Sequence, residues 1–176
     1  MKLFTPDYYV ESYRTLDLER LKRHGIRVLV CDIDNTLAAH DEPLPDAQAI
    51  AFVRRVRDAG IQVVFISNNK RERVERFAGA VDAKCYPFAR KPLKQTYRKM
   101  LRDLHYAPHQ VAVLGDQLLT DMLGANRMHF YTILTKPLVS RDLNCTKVNR
   151  VFEQMVFRVL ERQGKIKRGE YDDKKL

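Results

Sequence analysis

The sequence predicts a three-layer α/β fold with a doubly wound, mainly parallel sheet, and three observations carry that prediction. Residues 26–31 (Ile-Arg-Val-Leu-Val-Cys), 61–66 and 111–114 are short, nearly continuous apolar runs rich in β-branched side chains. Strands buried on both faces read in this way, because helices cover both sides of a parallel sheet. Each run stops at a small or acidic polar group, at Asp32, at Ser67 and at Gly115-Asp116. Between the runs lie segments of helical period, so the order is βαβαβ.

The opening segment, residues 8–23, carries Val10, Tyr13, Leu16, Leu18 and Leu21 among charges and is expected to form one or two short helical turns covering the sheet. After the first buried strand, residues 49–59 place Ile50, Val53 and Val56 on one stripe with Arg54, Arg55 and Arg57 elsewhere. Gly60 then closes that helix as a C-cap. A helix over 71–78 stops near Gly79, and another over 93–104 begins just after Pro92. Residues 129–134 read as a further strand. Near the end, Val148, Val151, Phe152, Met155, Val156, Val159 and Leu160 recur at spacings of three and four, so a terminal helix is expected to pack on the sheet. Residues 1–164 are thus read as one domain, and the charged, apolar-poor residues 165–176 as a frayed tail.

A chain of 176 residues, 45% of them hydrophobic, is enough for a single sizeable core. Its formal charge of +10 favours an anionic partner: a phosphorylated substrate, an acidic membrane surface or nucleic acid. Cys31, Cys85 and Cys145 are an odd number at irregular spacing, which gives neither a disulfide framework nor a zinc site and fits a reducing cytosol. The first residues lack the apolar core of a signal peptide, and no apolar run approaches the roughly 20 residues that span a bilayer. The expected place is therefore the cytoplasm, with peripheral contact at the inner face of an anionic membrane left open.

The chemistry-bearing residues fall at the strand ends. In extended backbone Asp32 and Asp34 project to the same side, so both carboxylates are expected to face one cavity. Two like charges held close repel, which is how a pair divides into nucleophile and general acid unless a cation compensates. Taken singly, each of these residues has a plain structural reading: an Asp after a strand caps a turn, Ser67 and Asn68 end a strand, and Lys91 is one of 32 lysines and arginines. Those readings leave unexplained why a Ser, a Lys and two further Asp residues, Asp116 and Asp121, follow in this order around one sheet edge.

The string Asp32-Ile33-Asp34-Asn35-Thr36 resembles the first motif of the haloacid dehalogenase (HAD) superfamily, and Ser67-Asn68, Lys91 and Gly115-Asp116 to Asp121 resemble the other three in order. Asp-Ile-Asp-Asn-Thr-Leu, Ala-Arg-Lys-Pro, Gly-Asp-Gln-Leu-Leu-Thr-Asp-Met-Leu-Gly-Ala-Asn-Arg and the late Thr146-Lys147-Val148-Asn149-Arg150 further resemble the YqeG family of bacterial HAD subclass IIIA phosphatases, over about residues 4–160. The resemblance implies a HAD-like Rossmannoid fold. It also implies Asp32 as nucleophile, Asp34 as general acid and base, and Ser67, Asn68 and Lys91 on the phosphate. Mg²⁺ would be held by Asp32, Asp116 and the backbone carbonyl of Asp34, with Asp121 on a metal-bound water or on Lys91. The family is similar to mitochondrial phosphatidylglycerophosphate phosphatases, so the implied substrate is that lipid. The stretches from Asp32 to Ser67 and from Asn69 to Lys91 are too short for a cap domain, so a capless, open site is expected.

Two other functions compete with the lipid phosphatase. One is a phosphatase for a soluble nucleotide, sugar phosphate or phosphoprotein; the other is a nucleic-acid or ribosome-associated protein with an incidental HAD core, motivated by +10 and by Arg54, Arg55 and Arg57. DNA binding is not expected, while RNA binding stays open. A receiver domain also gathers Asp, Ser/Thr and Lys at a sheet edge, but in a different order.

Overall fold

The computed structural model describes residues 2–139 and 147–174, the side chains of 147–150 and 174 excepted. Six strands, β1 (Tyr8–Val10), β2 (Val28–Cys31), β3 (Gln62–Ile66), β4 (Lys84–Tyr86), β5 (Val111–Gly115) and β6 (Tyr131–Thr135), form one open sheet in the order β1-β6-β5-β2-β3-β4. Every pairing is parallel. The helices are α1 (Leu18–Arg23), α2 (Ala47–Asp58), α3 (Arg71–Gly79), α4 (Lys94–Leu104), α5 (Leu123–Asn126) and α6 (Lys147–Arg162).

Side-chain alternation along the central strands splits the core into two layers. Leu29 and Cys31 of β2, Val63 and Phe65 of β3, and Ala112 and Leu114 of β5 pack with Phe52, Val53 and Val56 of α2 and Val74 and Phe77 of α3. The intervening Val28, Val30, Val64, Ile66, Val111 and Val113 pack with Tyr97 and Met100 of α4 and with Ala125. Burial on both faces is why these strands carry no polar alternation. Helix starts are fixed locally: the Asp17 carboxylate accepts from the Arg20 amide at α1, and that of Asp46 from the Ala49 amide at α2. Gly60, at φ 77°, makes the left-handed turn from α2 into β3.

Chain order sets the functional edge. From β2 the chain adds β3 and β4 on one side, then crosses back to place β5 on the other side of β2. The strand order reverses between β2 and β5, and open α/β sheets bind ligands outside the carboxyl ends at such a point.

Several expectations are corrected. The opening segment is not only helical turns: Tyr8–Val10 adds an edge strand to β6 before the short turn at Tyr13–Thr15 and α1. β4 was not predicted, since Lys-Cys-Tyr is too short and mixed to read as a strand, yet it pairs with β3. The terminal helix forms as α6, but only part of its stripe is covered: Val156 and Leu160 are buried while Val151, Phe152 and Met155 are exposed. The side chain of Val148, like Cys145 and Thr146, lies outside the described residues. The tail is not frayed over 165–173. Ile166 and Tyr171 are buried with Tyr9, Leu134 and Leu160, and the Tyr9 amide donates to Asp172 Oδ2 at 2.9 Å.

Candidate active site

The Asp32 amide donates to the Leu114 carbonyl at 2.9 Å, extending the β2–β5 ladder by one residue and fixing where the side chain leaves the sheet. Lys91 Nζ lies 2.8 Å from Asp32 Oδ1 and 2.6 Å from Asp121 Oδ1. All three side chains are removed from water, at 9%, 4% and 1% exposure for Asp32, Lys91 and Asp121. Thr36 Oγ1 donates to Asp116 Oδ1 at 3.3 Å, tying the end of β5 to the loop after β2. Asp32, Asp116 and Asp121 each bring a carboxylate oxygen within 4.8 Å of the others.

Asp121 stands on a π-helical turn, Leu118–Met122, and its Oδ2 accepts from the Gln117 amide at 3.2 Å. A Cβ on Gly115 would lie 2.4 Å from the Asp121 carboxylate, so glycine at the strand end is what lets that side chain reach Lys91. Lys91 is held from behind. Its amide donates to Asn68 Oδ1 at 2.6 Å, and Asn68 Nδ2 donates to its carbonyl at 3.2 Å, so the loops after β3 and β4 are stitched together.

The charges do not balance. Burial raises the Asp32 carboxyl, to about 7, against the pull of Lys91 and with the added push of Asp121. Burial alone would lower Lys91, but Asp121 and Asp32 outweigh it and hold the ammonium charged above its ordinary range. Three carboxylates around one ammonium leave an excess of negative charge. A hard divalent cation with oxygen ligands would offset it, and the all-carboxylate donor set fits such an ion.

Asp34 stands apart from the acidic triad. Its carboxylate is not among the three that converge; Oδ1 accepts from Arg73 Nε at 2.8 Å, and Oδ2 from Asn69 Nδ2 at 3.1 Å and Ser67 Oγ at 3.4 Å. His40 Nδ1 lies 3.4 Å from Oδ1. Any part of Asp34 in ion binding therefore rests with its backbone carbonyl. The Asn68 side chain grips the Lys91 backbone, which is compatible with a phosphate contact through the backbone amide. Ser67, buried just after β3, stands beside Asp34.

Sequence reasoning missed Arg73, which also donates to the carbonyls of Ala39 and Glu42 and so clamps the loop after β2 against α3. Among many arginines it had no distinguishing mark except its place in the first turn of the helix that follows Ser67. The Thr36–Asp116 contact, which joins two loops, and His40, which folds back on Asp34 within one loop, were missed because no local pattern marks them.

The family model for haloacid dehalogenase-like hydrolases matches residues 4–129. The chain is 34% identical over 165 residues to "Probable phosphatase YqeG" of Bacillus subtilis (strain 168), covering 94% of this chain and 96% of that one. Two solved structures share the fold. One is the cobalt-bound deoxy-D-mannose-octulosonate 8-phosphate phosphatase of Haemophilus influenzae, at 17% identity, covering 81% of this chain and 92% of that one with a TM-score of 0.54. The other is the D,D-heptose 1,7-bisphosphate phosphatase of B. bronchiseptica complexed with magnesium and phosphate, at 16% identity, 76% and 99% coverage and a TM-score of 0.51. Four motifs at one sheet edge, the family match and the nearly full-length relative agree: the chain belongs to the haloacid dehalogenase-like hydrolases, on the phosphatase branch that contains YqeG.

Proposed function

We propose that the protein is a magnesium-dependent phosphomonoesterase that works through an aspartyl-phosphate on Asp32, and that its substrate is phosphatidylglycerophosphate. The observation that carries the catalytic part is the buried Asp32 carboxylate paired with Lys91 beside Asp116 and Asp121 at the switch point.

A carboxylate oxygen of Asp32 forms a bond to phosphorus as the ester oxygen–phosphorus bond breaks, dividing one difficult hydrolysis into two easier steps. Asp34 gives its proton to the departing alcohol oxygen and later takes one from the water that attacks the aspartyl-phosphate, which returns Asp32 and releases inorganic phosphate. Arg73 and Asn69 fix the Asp34 carboxylate for both transfers. Lys91, held by Asp121 and Asn68, neutralises charge on the phosphoryl oxygens, and Ser67 with neighbouring amides donates to them. Magnesium, held by Asp32, Asp116 and the Asp34 carbonyl with Asp121 nearby, would supply further positive charge that lowers the repulsion between Asp32 and the phosphate.

The lipid assignment rests on the resemblance and has two supports. The segment between β2 and α2 is a loop, so nothing the size of a cap domain closes over Asp32 there. Val151, Phe152 and Met155 stand exposed on α6 beside the exposed Arg158 and Arg162, a pattern suited to peripheral contact with anionic lipid. The two structural neighbours are named for sugar phosphates, which makes a soluble sugar phosphate the competing substrate.

Phosphate release from a panel that includes the lipid in mixed micelles tests both parts. Release from the lipid is expected to exceed that from soluble esters by far, and to vanish with chelator or in Asp32→Asn. Faster release from a sugar phosphate would overturn the lipid assignment; release that survives Asp32→Asn would overturn the mechanism.

A further inference from the structure

Resting on the phosphatase reading above, we infer that the chain beyond the shared hydrolase core builds a pocket for the alcohol half of the substrate, selecting phosphomonoesters whose leaving alcohol carries an apolar body. A cavity of about 370 Å³ opens beside Asp116, within the size range of small-molecule sites. The match to the hydrolase family ends at residue 129, whereas Leu134, Val139, Phe157 and Tyr171 of the cavity wall all lie after it. Tyr9 of the edge strand completes the wall.

The cavity is fastened to the catalytic loop. Asn35, between Asp34 and Thr36, donates from Nδ2 to the Val139 carbonyl at 3.1 Å and accepts from the Val139 amide at 2.9 Å. Its base is Leu118, the first residue of the turn that bears Asp121, and Glu153 of α6 accepts from the amides of Leu118 and Leu119. The far wall is set by the tail: the Tyr9 and Tyr171 rings lie 4.8 Å apart, and the bond from the Tyr9 amide to Asp172 locks the tail to β1. The Arg168 guanidinium lies 4.6 Å from the Phe157 ring centroid, placing a cation at the wall, and Lys136 adds another.

Aromatic and aliphatic walls next to a phosphoryl site offer binding energy to the part of a substrate that does not react. Gln117, Thr135, Glu153 and Gln154 also line the cavity, but most of its exposed wall is apolar, so an apolar body gains more there than a hydroxyl-rich sugar does. The two cations suit an acceptor group on the same alcohol. Specificity is thus carried by the wall that β6, α6 and the tail build beside the site, not by the four motifs.

Unbranched alkyl monophosphates test this, because their leaving groups differ in length and hardly in acidity. In the full-length protein with magnesium, kcat/KM is expected to rise from ethyl to butyl to hexyl phosphate by roughly three- to fourfold per methylene until the cavity is filled. Phe157→Ala, which removes wall surface, should lower the hexyl-to-ethyl ratio at least tenfold. Val139→Asp, an exposed position at the mouth, should do the same with less risk to folding. A flat chain-length profile in the wild type, or a ratio unchanged in both variants, overturns the pocket while leaving the phosphatase intact. Turnover of ethyl phosphate that survives Asp32→Asn would instead overturn the reading on which the pocket rests.

Discussion

Lys91 is the residue on which the site's electrostatics turn, since one buried ammonium faces the carboxylates of Asp32 and Asp121. Removing one partner of a buried pair leaves uncompensated charge, so Lys91→Met is expected to lose about 3–5 kcal/mol of unfolding free energy in urea. Asp32 carries the opposite sign of effect in ion-free protein. Its folded carboxyl titrates near 7, above the ordinary carboxylate range, so the native state binds an extra proton between about pH 4 and 7. Stability contributed by this group is therefore present at low pH and lost as pH rises through 7. Asp32→Asn removes the titration, and its stability relative to wild type should climb over that window; parallel urea midpoints from pH 5 to 8 would contradict this. Asp32, Ser67 and Asp116 were legible because each stands at the end of a buried run, and Lys91 because it lies between Pro87 and Pro92, in motif order after Ser67 and before Asp116. Arg73 and His40 were not, since what marks them is a contact with Asp34, from α3 for Arg73 and within the same loop for His40, that no local pattern encodes.

At the level of elements, the tail is the clearest departure from the sequence reading. Residues 165–176 are rich in charge, but two apolar side chains, Ile166 and Tyr171, suffice to dock the segment on β1 and α6. Deleting residues 165–176 should cost about 3–6 kcal/mol by the burial of those two side chains alone. A frayed tail would cost within about 0.5 kcal/mol. Differential unfolding in urea separates the two. The strands β2, β3 and β5 could be read because burial on both faces demands continuous apolar runs, whereas the edge strands β1 and β4 are three residues each and take their conformation from pairing. The basic cluster on α2 is also clearer in three dimensions. Arg55 donates to the Tyr13 and Arg14 carbonyls and Arg57 to that of Asp82, so two of the three arginines that motivated an RNA-binding reading are spent within the fold.

At the level of the whole molecule, function follows from where the parallel sheet reverses its strand order. Asp32 and Asp116 stand on the two sides of that point, after β2 and β5, and the loops after β3 and β4 bring Ser67 and Lys91 to the same edge. The sequence could place Asp32, Ser67 and Asp116 at strand ends and Lys91 in a proline-flanked loop, but it could not show that the Asp34 carboxylate is held by Ser67, Asn69 and Arg73. In the proposed mechanism one carboxylate, beside Lys91, attacks phosphorus and the other, beside the arginine, moves the proton. The most direct test is acid-quenched single turnover followed by peptide mapping for a phosphoryl adduct. The label is expected on the peptide containing Asp32, absent in Asp32→Asn, and accumulating when Asp34→Asn slows its hydrolysis. Steady phosphate release with no labelled peptide, or a label on any other residue, would contradict the account.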